Sequence, residues 1–136
     1  MTFQVDIFPE IQLDRIKHLD AFTIEDIQNS FREAFDNPKF ETGFNFLRDC
    51  RDASLPEEWT FSRMVHITTP MMVENVPKMR RCKIAWLVKS KLDYGIINQV
   101  RLILETQTPE IDRRPFYTLE NAYTFLGVPE VQRPDL

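Results

Sequence analysis

The chain has 136 residues, a length that fits one domain, and its composition, 43% hydrophobic and 28% charged, is that of a globular protein able to fold without a metal or a disulfide. A net charge of −4 argues against non-specific nucleic-acid binding, which needs a basic face for the phosphates. The one basic run, Lys78-Met79-Arg80-Arg81-Cys82-Lys83, reads as a solvated loop entering a strand.

In chain order, Phe3, Val5 and Ile7 alternate with polar residues, the period-two pattern of a half-buried strand. Pro9-Glu10 breaks it, and Ile11 to Leu19 resumes as a second extended run, so an antiparallel hairpin is expected. Thr23 with Asp26 three residues on is a capping pair for a helix whose face carries Ile24, Ile27, Phe31 and Phe35, ended by Asn37-Pro38. The run from Gly43 to Cys50 is a buried strand that ends in the charged cluster Arg48-Asp49-Cys50-Arg51-Asp52.

From Ser54 to Met79 the pattern predicts a kinked or split helix. Ser54 and Glu57 are its candidate cap, Met64, Ile67 and Met71 share a face, and Pro70 and Pro77 interrupt it. Lys83 to Val88 is a continuous apolar run, as in a central strand covered on both faces. Ser90 and Asp93 open the next helix, with Leu92, Ile96, Val100, Ile103 and Leu104 on its buried side. Ile111 to Phe116 is a last strand, placed near an edge by Pro115. Thr118 caps a final helix closed by Gly127. These elements make residues 1–127 one domain and leave 128–136 as a tail expected to be mobile. Strands joined by helices imply parallel pairing, so the fold class is α/β: a mixed, mostly parallel sheet of about five strands with about four flanking helices.

Several phrases in this order resemble the STAS domain of anti-sigma-factor antagonists, most closely its SpoIIAA-like branch. They are Phe22-Thr23-Ile24-Glu25-Asp26, Gly43 to Ala53, Ala85-Trp86-Leu87-Val88 followed by Leu92-Asp93-Tyr94-Gly95, and Arg114 to Ala122 before a Phe-Leu-Gly ending. The resemblance runs from about Phe3 to Gly127 and implies a STAS-like fold. It departs at the phosphoswitch. Antagonists carry Asp-Ser-Ser-Gly or Asp-Ser-Thr-Gly after the third strand, where this chain has Asp49-Cys50-Arg51-Asp52-Ala53-Ser54-Leu55, so that control does not carry over.

No catalytic pattern stands out. His18 and His66 fit neither a metal nor a triad spacing and read as partly buried or surface histidines. Cys50 and Cys82 have no Cys or His at ligand spacing, and Cys50 reads as a small apolar residue at a strand end rather than a nucleophile. Gly43, Gly95 and Gly127 are isolated and form no phosphate or dinucleotide loop, so neither a metal nor a cofactor is expected. The N-terminal Met-Thr-Phe-Gln-Val-Asp lacks the features of a secretory leader, and no apolar run reaches the roughly 20 residues of a membrane span. A cytoplasmic protein with reduced thiols is expected.

Candidate binding residues fall in three groups. Arg48, Asp49, Arg51 and Asp52 lie where a parallel strand ends, the place where ligands collect in such sheets, or they pair with one another. Ser90, Asp93 and Tyr94 sit at a helix N-terminus able to meet an anion, or act as ordinary caps. Trp59, Met64 and Met71 either pack on the sheet or present an adaptable apolar surface. Two functions follow. One is a non-enzymatic regulatory or interaction module binding a protein partner, with a homodimer also open. The other is a carrier of an apolar small molecule or lipid, to which the SpoIIAA-like resemblance also extends through related lipid-transfer folds. An enclosed cavity of roughly 300 Å³ or more separates the second from the first.

Overall fold

The structure is a computed structural model describing residues 2–136. Strand β1 (Phe3–Phe8) turns through a 3-10 segment at Pro9–Ile11 into β2 (Leu13–His18), its antiparallel partner. Gln12 makes the turn with a left-handed φ of 52°. Helix α1 (Ile24–Asp36) leads to β3 (Asn45–Asp49), and β4 (Lys83–Leu87) follows a long irregular helical passage. Helix α3 (Lys91–Leu104) then connects to β5 (Asp112–Phe116), and α4 (Leu119–Leu126) closes the domain. The sheet runs in sequence order, β1-β2-β3-β4-β5, parallel from β2 onward. Lys83–Leu87 is therefore an interior strand one place from the middle, which β3 occupies; β5, with Pro115, is an edge.

The caps form as the sequence requires. Thr23 accepts from the Asp26 amide while the Asp26 carboxylate accepts from the Thr23 amide, a reciprocal capping box. Ser90 and Thr118 accept from Asp93 and Asn121 in the same way, and Gly127 ends α4 at φ 74°.

The passage between β3 and β4 differs in detail from the expectation. Ser54 does not open a helix; it pairs as an extended residue with Ala21 in a two-residue ladder. The cap is Thr60, which accepts from the Arg63 amide. After one turn at Phe61–Arg63 the backbone widens to a π-helix over Met64–Thr68, then continues as α2 (Thr69–Met79). Pro70 explains the widening, since it has no N–H and its ring crowds the carbonyl one turn back. Thr69 turns both its amide and its hydroxyl onto the Met64 carbonyl.

Two cores form, one on each side of the sheet. On the first side α1, the π segment, α2 and α3 cover Ile16, Phe46, Ile84 and Trp86. On the second, α4 covers Leu13, Leu47, Ala85 and Leu87 with Ala122, Tyr123 and Leu126. Three consecutive crossovers put their helices on one side, and only the last helix crosses to the other. Burying each large aliphatic side chain contributes roughly 1.5–3 kcal/mol. In α3 the buried residues are Asp93, Ile97, Val100 and Leu104, whereas Leu92, expected inside, is 73% exposed. It lies one residue off the stripe that Asp93, Ile97, Val100 and Leu104 form at helical spacing and so points away from the sheet.

Of residues 128–136, expected as a mobile tail, Val128 and Leu136 pack on the second side, while Val131 is 94% exposed. Val128 is buried, the Tyr123 hydroxyl donates to the Pro134 carbonyl at 2.6 Å, and Arg51 donates to the Leu136 carbonyl at 2.9 Å. No helix among the described residues is long and apolar enough to cross a membrane.

Candidate functional site

The ten candidate residues do not converge on one place. The cluster after β3 is divided by the alternation of the strand itself, because successive side chains point to opposite sides. Asp49 turns towards α4, where Arg51 donates to its carboxylate at 2.8 and 3.0 Å and Arg15 stands 3.9 Å away. Burial pushes the Asp49 carboxyl up, but the hydrogen bonds from Arg51 outweigh it and hold the group below its ordinary value. Asp52 is exposed and pairs with Lys17 at 3.4 Å. This part of the cluster is an internally paired network.

Arg48 turns the other way and is fully buried. Its guanidinium donates to Ser30 Oγ at 3.0 Å and meets His18 Nε2 at 2.9 Å, which makes Nε2 the acceptor and leaves the ring proton on Nδ1. It also stacks over Phe31 at 4.4 Å and Trp86 at 5.2 Å. Burial lowers its pKa to about 9, still charged at neutral pH. His18, expected to be partly buried or on the surface, has no exposure; burial and then the Arg48 charge lower its pKa to about 2. Asp14, on the same side of β2, is fully buried with no partner for its carboxyl, and burial raises its pKa to about 8.

Trp59 and Met64 belong to the core. Trp59 donates its indole N–H to Thr68 Oγ1 at 2.8 Å and tilts against Trp86, and Met64 is fully enclosed. Met71 is half-buried and lies at the surface, in an open groove of about 580 Å³ between α1 and the split helix. Its floor is Ile24, Ile67, Pro70 and Met71; its borders carry Glu25, Gln28, Arg32, Glu58, Arg63 and Glu74. The walls are tied together by Asn75, which donates to Gln28 at 3.0 Å, and by Glu58, which accepts from the Ile24 amide at 3.3 Å. Of the groove residues only Met71 was singled out from sequence. The available signal was Ile67, which shares a helical face with Met64 and Met71 yet is 38% exposed.

Ser90, Asp93 and one edge of Trp59 border a second, more enclosed cleft of about 350 Å³, between the N-terminus of α3 and residues 54–59, a place where three of the candidates come together. Tyr94 is not in it; its ring stacks on Tyr117 at 4.9 Å. The Cys50 thiol is buried at the end of β3, and burial pushes its pKa above the ordinary thiol value, opposite to what a nucleophile needs. Under the methionine-bearing segment the enclosed space is about 10 Å³, room for about one water. No apolar cavity of the size a carrier would need lies at that place.

No family model matches the chain, and no curated protein sequence matches it. Among solved structures it is similar to an uncharacterised protein of the DUF3478 family with a SpoIIAA-like fold from Shewanella loihica, at 11% identity and a TM-score of 0.55, with 91% of each chain covered. The mixed five-stranded sheet with its four helices is thus a SpoIIAA-like fold.

Proposed function

We propose that the protein is a non-enzymatic interaction module whose groove between α1 and the split helix receives a short apolar segment of a partner protein. The observation that carries this reading is the contrast in space: a groove of about 580 Å³ open to solvent, against an enclosed volume of about 10 Å³. A diffusible apolar ligand needs most of its surface enclosed, whereas a protein segment needs an apolar strip with a polar border. The border supplies acids (Glu25, Glu58, Glu74) and bases (Arg32, Arg63), which suits a segment flanked by charges of both signs. Met71, with an unbranched and polarisable side chain, adapts to the shape it receives.

The test is a photo-crosslinking amino acid placed at Ile67, with Leu102, exposed on α3 outside the groove, as the control position. Introduced in the native host, position 67 should give a discrete protein adduct that position 102 does not, and Met71→Arg should remove it. Equal labelling at both positions would refute the groove, and an adduct of twice the chain mass would assign it to a second copy instead.

A further inference from the structure

The groove between α1 and the split helix suits one backbone conformation and not the others. An extended segment docks through main-chain hydrogen bonds to an open sheet edge, whereas both walls here are helical. The amides at the start of α1 are occupied: those of Thr23 and Asp26 by the capping box, that of Ile24 by Glu58. Side chains that would stand in for a sheet edge are tied as well, since Gln28 accepts from Asn75 and Glu58 from Ile24. A strand laid there would bury N–H and C=O groups without partners, which native structures avoid. A polyproline segment docks among aromatic rings, and none of the residues lining the groove is aromatic. An α-helix carries its own backbone hydrogen bonds and needs only an apolar strip, which Ile24, Ile67, Pro70 and Met71 provide.

The charges on the border add a direction. Glu25 and Arg32 line the groove from α1, seven residues apart, which puts them on one side of that helix and about 10 Å apart along its axis. Among the described residues neither forms an ion pair, and neither do Arg63 and Glu74 on the opposite wall. A helix lying along α1 covers the same distance with seven of its own residues. A base and an acid at that spacing on its flank meet Glu25 and Arg32 in one orientation, and the reversed orientation sets like charges opposite each other.

We infer that the segment received by the groove is an amphipathic α-helix of a partner protein, its apolar stripe flanked by a base and an acid two turns apart. This rests on the groove being the binding surface proposed above. The probe is a displayed library of random peptides of about 16 residues, long enough to form a helix, selected on the intact chain. Counter-selection uses Met71→Arg and Ile67→Arg, which block the floor at two half-exposed places, each checked for the wild-type fold by circular dichroism. Peptides that prefer the wild type should carry apolar residues at spacings of three, four and seven, and a central proline should weaken them about tenfold or more. With Glu25→Lys as the target, the favoured base should give way to an acid. Selected peptides with alternating or proline-rich patterns, indifferent to a central proline, would overturn the helix and leave the groove standing. An unchanged charge preference on Glu25→Lys would overturn the docking along α1. No peptide that separates the wild type from the blocked variants would overturn the groove and the helix together.

Discussion

Arg48 and Asp49 are neighbours on β3, yet they meet opposite fates. Asp49 faces α4, where Arg51 and Arg15 surround it and Arg51 in turn reaches the terminal carbonyl. Arg48 faces α1 to α3, where its contacts are a histidine, a serine and aromatic rings. The α4 side thus pairs its charges within the chain and leaves one buried donor, Arg15 Nε, without a partner. The α1–α3 side buries Asp14, His18, Arg48 and Arg113 with donors and a carboxyl left over, and it also carries the groove. Buried polar groups that the chain itself does not satisfy are where a protein is prepared for something outside it.

The largest expected effect separates core from binding surface on the α1–α3 side. Trp59→Ala removes a buried indole and its bond to Thr68, and should cost roughly 3–5 kcal/mol in urea denaturation. Met71→Ala, at the groove surface, should cost under about 2 kcal/mol by the same measurement, below the range of buried methionines. Equal losses would mean that Met71 is core as well.

The pH dependence of stability is the next discriminator, because two buried groups on this side pull in opposite directions. Asp14 has a folded pKa near 8, above its unfolded value of 3.8, so its contribution is full below about pH 4 and is lost as pH rises to 8. His18 has a folded pKa near 2, below its unfolded value of 6.5, so its contribution is full above 6.5 and is lost on acidification. Between about pH 4 and 6.5 the two slopes cancel and stability should be flat. From 6.5 to 8 only Asp14 acts, and stability should fall by at most about 2 kcal/mol. Below pH 4, His18 and Asp49 both act and stability should fall again. Denaturant titrations across this range check the shape, and Asp14→Asn should abolish the fall above 6.5. A wild type that gains stability from pH 6.5 to 8 would contradict the burial of an unpartnered Asp14.

The smallest effect lies on the α4 side. Tyr123→Phe loses one hydrogen bond, to Pro134, and should cost about 1 kcal/mol. No measurable loss would return residues 128–136 to the role of a loose tail.

The elements were legible where local chemistry decides them. Thr23, Ser90 and Thr118 cap helices, Pro115 marks an edge strand, and Gly127 ends α4, each for reasons contained within a few residues. What was not legible depends on what covers each face. The cluster from Arg48 to Asp52 reads as a polar strand end, but a strand roofed by helices on both sides sends Arg48 into one core and Asp49 into the other. The same limit applies to Trp59 and Met64, whose residue types suit a core or a binding face equally, and to the tail, whose partners Arg51 and Tyr123 are distant in sequence or already assigned to a helix. The groove was invisible because its floor combines α1 with a helix widened around Pro70, a geometry no hydrophobic period encodes.

On the α1–α3 side Arg48 and Arg113 hold positive charge that no carboxylate among the described residues pairs. Replacing Arg113 by methionine tests this most directly, since it removes one buried guanidinium, retains an unbranched apolar stem and breaks only the long bond to Ile111. Arg113→Met should be at least as stable as the wild type by urea denaturation, because an apolar chain replaces an unpaired ion. A loss of about 3–5 kcal/mol, the cost of breaking a satisfied buried pair, would show instead that Arg113 is already compensated within the fold.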